Sequence, residues 1–124
     1  MKERIDAGAP PVGPYSPAVR ACGLIFLSGQ IPMVPETGEI VRDSIQNQVR
    51  QTLENLKVLL EKSGSSLDKA LKCTVYLKDL SDFEAMNEIY ANYFSADPPP
   101  ARSTIQVARL PKDVDVEIDI IALE

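Results

Sequence analysis

The 124-residue chain contains no histidine and no tryptophan, only two cysteines, and 6% aromatic residues. Without imidazole there is no Ser-His-Asp or Cys-His nucleophile system, no His-ligated metal and no histidine acid–base group. Cys22 and Cys73 lack Cys-x-x-Cys spacing, which reads as reduced, buried or half-buried thiols rather than a disulfide frame or a zinc site. Neither HExxH nor the GxxxxGK[ST] phosphate loop occurs, so the usual metal and phosphate signatures are missing. No apolar run approaches the roughly 20 residues needed to cross a bilayer, and no membrane partner is expected. Positive charge is also scarce: 13 Lys and Arg face 18 Asp and Glu, a formal net charge of −5, with the cations scattered singly. Nucleic-acid binding rests on cations that neutralise phosphates, so this balance opposes such a partner.

What remains is 44% hydrophobic and 25% charged residues, enough to bury a core in one domain over residues 1–124. The opening Met1-Lys2-Glu3-Arg4-Ile5-Asp6 carries acids and lacks an apolar core, unlike a secretory signal or a typical transit peptide. A cytoplasmic location is expected, with an organellar one left open.

Residues 7–17 hold Gly8, Pro10, Pro11, Gly13, Pro14 and Pro17, which forbids helix and predicts an ordered loop carrying Tyr15 and Ser16. Residues 18–22 read as a short strand that turns at Gly23 into a second, 24–31, with apolar residues on both faces. Pro32, Pro35 and Glu36-Thr37-Gly38-Glu39 mark a turn. With Asp43 or Ser44 as N-cap, Ile45, Val49, Leu53, Leu56 and Leu60 follow helical spacing to a stop at Gly64. Over 70–77, Leu71, Cys73, Val75 and Leu77 alternate with Lys72, Thr74 and Tyr76, a strand pattern. Ser81-Asp82-Phe83-Glu84 has capping-box spacing and opens a second helix, with Phe83, Met86, Tyr90, Tyr93 and Phe94 on its stripe, ending before Pro98-Pro99-Pro100. A strand over 101–108 sets Arg102, Thr104 and Gln106 on one face. Residues 110–113 turn, and 114–123 alternate Val114, Val116, Ile118, Ile120 and Ala122 against Asp115, Glu117, Asp119, Ile121 and Leu123.

The order is β-β-α-β-α-β-β, an α+β domain whose two helices cover one face of the sheet. The apolar residues of the other face need a cover, and a second copy of the chain supplies one, so a homo-oligomer with sheet faces packed inward is expected.

Few residues remain for chemistry. Ser28-Gly29 lacks a GxSxG elbow and a base to activate the hydroxyl. Asn87 sits beside the apolar stripe of its helix, so its amide needs a specific partner. Arg102 follows the rigid Pro98-Pro99-Pro100-Ala101 lead, and arginine suits a planar, bidentate grip on a carboxylate. Glu117 is the middle of three acids on one strand face. That face is either solvated or, if an oligomer buries it, the place of a general acid/base.

The segments Gly13-Pro14-Tyr15-Ser16-Pro17-Ala18, Leu27-Ser28-Gly29-Gln30-Ile31-Pro32 and Pro100-Ala101-Arg102-Ser103 occur in that order. They are followed by Val107-Ala108-Arg109-Leu110-Pro111-Lys112-Asp113-Val114-Asp115-Val116-Glu117-Ile118. Together they resemble the RidA/YjgF family, also called the endoribonuclease L-PSP family, almost from end to end. The resemblance implies a chorismate-mutase-like α+β fold with helices on one face of a mixed sheet. It further implies a homotrimer with inward-facing sheets and sites in the clefts between subunits. In the deaminase branch the implied reaction converts 2-imino acids or their enamine tautomers (2-iminobutanoate, 2-iminopropanoate, 2-aminoacrylate) to 2-oxo acids and ammonia. These imines are released by pyridoxal-phosphate-dependent dehydratases, a functional partnership, and no cofactor or metal is implied.

Carried over by position, Arg102 would grip the substrate carboxylate and Glu117 would handle the protons of the attacking water and departing ammonia. Tyr15 would shape the pocket, Ser28 and Gly29 would line it, and Asn87 would support it from the neighbouring subunit. Many members have Cys after Ala-Arg-Ser where this chain has Thr104; with water as nucleophile, hydrolysis is expected to survive and thiol modification at this substrate-binding position to be lost. The family's endoribonuclease and translation-inhibitor label is one alternative, and a carboxylate-binding or chaperone-like module is another.

Overall fold

A computed structural model describes residues 1–7 and 11–124, so Gly8 and Pro10 of the expected proline-rich loop lie outside the described residues. Eight main elements follow one another: β1 (Glu3–Ile5), β2 (Ala18–Ala21), β3 (Leu24–Gln30), α1 (Ile45–Lys62), β4 (Ala70–Leu77), α2 (Phe83–Tyr93), β5 (Ala101–Gln106) and β6 (Val116–Leu123). The strands form one six-stranded sheet in the order β1-β2-β3-β6-β4-β5. Every pair is antiparallel except β4–β5. A parallel pair requires a crossover, and α2 provides it.

Helix α1 forms as its sequence specifies. Ser44 caps it, its hydroxyl accepting from the Asn47 amide at 3.1 Å. Gly64, at φ 86°, ends it by a Schellman closure in which the Ser65 amide donates to the Leu60 carbonyl at 2.9 Å. The apolar stripe Val49, Leu53, Leu56 and Leu60 is fully buried against the sheet. From the sheet, Ile25, Val75, Leu77, Val116, Ile118 and Ile120 meet it, with Met86 from α2. Among the described residues the other sheet face has no helix. There Phe26 is 41%, Ile105 44% and Leu123 46% exposed, so the face that the sequence marks as needing a cover is uncovered in a single chain.

Four local expectations are revised. Strand β1 is an addition to the expected order, its three residues pairing with Ala18, Val19 and Arg20. The last two strands are shorter than their alternation, because Val107 leaves β5 to donate to the Leu77 carbonyl at 2.9 Å and residues 111–113 make a 3-10 turn before β6. The capping box does not form: Asp79 caps instead, accepting from the Ser81 amide at 2.9 Å, and a 3-10 turn at Leu80–Asp82 leads into α2. Asp115 precedes β6 and is drawn to α1, where Gln48 donates to its carboxylate at 2.8 Å and accepts from its amide at 3.0 Å. The three-acid strand face is therefore a pair, Glu117 and Asp119.

The Gln48 side chain is 2% exposed, so its loss strands two polar groups of Asp115. Gln48→Ala is expected to lower stability by about 1–3 kcal/mol, read as a lower midpoint in urea unfolding.

Candidate active site

Glu117 alternates with the buried Val116 and Ile118, so its side chain stands on the uncovered sheet face. Beside it, β3 carries a β-bulge: Leu27 pairs with Ile120 and Gln30 with Ile118, so Ser28 and Gly29 together face one residue of β6. The Glu117 carboxylate lies directly against this bulge. A Cβ built on Gly29 would fall 2.1 Å from Glu117 Oε2 and 2.9 Å from Cδ, so glycine is what admits the acid here.

Ser28 fastens the bulge to the proline-rich loop. Its hydroxyl donates to the Ser16 carbonyl at 2.6 Å, and its amide donates to the Pro17 carbonyl at 2.9 Å. The same loop presents Tyr15, half exposed. Tyr15, Ser28, Gly29 and Glu117 all line one cleft of about 980 Å³, joined by Lys112 and by Asn55 of α1. Ser28 Oγ is thus committed to a carbonyl, consistent with a lining role rather than a nucleophilic one.

Burial pushes the Glu117 carboxyl above its ordinary range, and the like charge of Asp119 pushes it further. Asp119 is held in turn by Tyr76, whose hydroxyl donates to Oδ2 at 3.0 Å. Lys112 adopts φ 55° in the 3-10 turn, and its carbonyl accepts from Arg42 at 2.8 Å. The sequence reading passed over Lys112, Asp119 and Tyr76 as site residues. Acid spacing along β6 was a signal for Asp119, whereas nothing local marked the other two.

Arg102 stands elsewhere. It pairs in register with the buried Cys73 on β4 and turns towards α2 on the helix-covered face. Its guanidinium carbon lies 4.6 Å from the Tyr90 ring centroid and 5.5 Å from that of Phe83. Its Nη1 donates weakly to Met86 Sδ at 3.9 Å. Among the described residues it has no carboxylate partner. Thr104, two residues on, faces the same way, its hydroxyl buried without a hydrogen-bond partner. Asn87 is half-buried one turn beyond Phe83 and shares its helix flank.

One chain therefore sets the candidate residues in two separate groups: Tyr15, Ser28, Gly29 and Glu117 in one, Arg102, Thr104 and Asn87 in the other. They sit on opposite sheet faces, and β4 lies between β6 and β5. Two strand spacings alone are roughly 10 Å.

The cysteines are separate from both roles. Cys22 is exposed in the β2–β3 turn, contrary to the expected burial, while burial pushes the Cys73 thiol up to about 11 and keeps it protonated. Among the described residues no cluster of three metal-ligating side chains occurs, and no helix is long and apolar enough to cross a membrane.

The family model for endoribonuclease L-PSP matches residues 6–124. The chain belongs to this family. Among its L-PSP relatives is a RutC family protein of Pyrococcus horikoshii, 54% identical over 124 residues that cover 98% of each chain. The chloroplastic Reactive Intermediate Deaminase A of Arabidopsis thaliana is 49% identical over 111 residues, 90% of this chain and 59% of the plant protein. The L-PSP fold is matched by the crystal structure of Escherichia coli TdcF with bound serine, at a TM-score of 0.92, 42% identity and 98% coverage of both chains. The α+β fold expected of RidA/YjgF proteins is thus the fold observed.

Asp119→Asn removes the like charge beside Glu117, which then ionises at lower pH. A 13C NMR titration of the Glu117 carboxyl should move down the pH axis, and an unchanged midpoint would remove Asp119 from the site.

Proposed function

We propose that the protein is a hydrolytic deaminase that converts reactive 2-imino acids, such as 2-iminobutanoate, 2-iminopropanoate and the enamine 2-aminoacrylate, to 2-oxo acids and ammonia. Its site is completed between copies of the chain in a homotrimer whose uncovered sheet faces pack inward. The observation that carries the reading is the division of the chemistry: an arginine without an acid partner on one face, and a half-buried glutamate on the other. Neither half-site suffices alone, and a neighbouring copy can bring the Arg102 edge of one chain to the Glu117 cleft of the next. The name of one relative, a reactive intermediate deaminase, and the serine bound to another, a small molecule with an α-carboxylate, support the reading.

The chemistry asks for little. The carbon of a protonated imine is already electrophilic, so anchoring and a positioned water replace an activated side-chain nucleophile. Arg102 holds the carboxylate bidentately. Glu117, its pKa raised by burial and Asp119, accepts a proton as water oxygen bonds to the imine carbon. It returns that proton to the nitrogen of the carbinolamine and, as the C–N bond breaks, takes up the hydroxyl proton in its place, leaving a 2-oxo acid and ammonia and passing the last proton to solvent. Tyr15 and the Ser28–Gly29 bulge shape the pocket, and Asn87 and Thr104 flank the carboxylate grip. The reactive imines would come from pyridoxal-phosphate-dependent dehydratases, and the protein itself needs no cofactor for this chemistry.

Measured above spontaneous hydrolysis, with a dehydratase as the imine source, Glu117→Ala is expected to lower turnover about 10²- to 10⁴-fold while 2-oxobutanoate still binds. Arg102→Ala should abolish both turnover and binding with the assembly intact. Turnover at wild-type level in either variant sinks the reading. Gly29→Ala, which displaces the Glu117 carboxylate, should cost about 100-fold with an unchanged circular dichroism spectrum.

A site shared between chains makes a separate demand. Arg102→Ala and Glu117→Ala chains, inactive alone, should recover about one quarter of wild-type turnover when unfolded and refolded together in equal amounts, since about one interface in four joins two intact halves. No recovery from refolded mixed assemblies would place the site within one chain.

A further inference from the structure

Arg102 is held by rings rather than by an acid. Its guanidinium carbon lies 4.6 Å over the Tyr90 ring centroid and 5.5 Å over that of Phe83, and its one hydrogen-bond acceptor among the described residues is the thioether of Met86, at 3.9 Å. Phe83 and Tyr90 lie seven residues apart on α2, two helical turns, so both rings project from one stripe towards β5. A cation facing aromatic quadrupoles is attracted and oriented. It keeps its charge uncancelled and its N–H edge uncommitted, because a ring face offers the fork no carboxylate oxygen. An acidic partner would orient the fork equally well but would compete with an incoming carboxylate for the same N–H groups.

The hydroxyl of Tyr90 takes no part in the cradle. It is buried beside the Cys73 thiol and makes no hydrogen bond to Arg102 among the described residues, so it is the ring that acts on Arg102. Phe83 is 38% exposed at the start of α2, which makes its structural contribution small and its position beside Arg102 the more telling.

We propose that Phe83 and Tyr90 are positioning residues that hold the Arg102 guanidinium face-on, so that it meets a planar substrate carboxylate with its N–H edge. This rests on the reading of Arg102 as the carboxylate grip. Because the rings act through binding, their loss should appear in KM rather than in kcat.

The test uses full-length Phe83→Leu, Phe83→Tyr, Tyr90→Leu, Tyr90→Phe and Arg102→Ala proteins, with 2-oxobutanoate titrated by calorimetry and imine hydrolysis followed in steady state. Phe83→Leu is expected to weaken 2-oxobutanoate binding and raise KM by about 2- to 30-fold, with kcat within about twofold of wild type. Phe83→Tyr should restore both constants. Tyr90→Leu should behave like Phe83→Leu where it folds, and Tyr90→Phe, which keeps the ring, should reverse the effect. The proposal is overturned if Phe83→Leu leaves Kd and KM unchanged, or if it lowers kcat alone and Phe83→Tyr does not rescue it. Arg102→Ala separates the two levels. Lost binding there with intact binding in Phe83→Leu overturns the positioning role only, whereas intact binding in Arg102→Ala overturns the carboxylate grip and the positioning role with it.

Discussion

Both helices lie on the same face of a six-stranded sheet, and the placement of every candidate site residue follows from that constraint. The crossover from β4 to its parallel neighbour β5 carries α2 over the face already occupied by α1. The inward-pointing residues of β6 are sealed beneath them, while those of opposite parity, Glu117, Asp119, Ile121 and Leu123, have no cover within the chain. Glu117 therefore sits in an environment between core and solvent, dry enough to raise its pKa and open enough to meet a ligand. Arg102, of the parity that faces the helices, is drawn instead towards aromatic rings.

The elements legible in the sequence are those with long, uninterrupted periodicity. The heptad-like stripe of α1 and the alternation of β6 identify buried positions residue by residue, and the Gly64 stop is read correctly because only a left-handed residue closes that helix so tightly. What escaped were features set by partners far along the chain. β1 is too short to show a period. Asp115 alternates like a strand residue but is turned aside by Gln48, a residue distant in sequence. Asp79 outcompetes the Ser81–Glu84 pattern because a 3-10 turn intervenes. The candidate site residues were legible as types and as positions of the resemblance. That they divide into two groups on opposite sheet faces was not, because face parity across a parallel edge strand depends on its register with β4.

The two groups of candidate residues use different physical means of holding a charged group ready. At Glu117 the backbone gives way: an extra residue in β3 and a missing side chain at Gly29 make room for a carboxylate, and a neighbouring acid discourages its ionisation. At Arg102 aromatic faces supply attraction without an accepting oxygen. Neither arrangement draws on imidazole, which the chain lacks, or on a cysteine thiolate. The Cys73 thiol, buried behind Arg102, and the Ser28 hydroxyl, occupied by the Ser16 carbonyl, are structural by the same criteria.

The closeness of Gly29 to Glu117 also bears on how this sequence can diverge. The volume a methyl group would take at position 29 is the volume the carboxylate already fills, so the two positions are not free to drift independently. A lineage that enlarges residue 29 must shorten the acid at 117 or swing it aside, and one that keeps the carboxylate against the bulge must keep the glycine. Across descendants of this chain, positions 29 and 117, on different strands, should therefore behave as a single inherited unit.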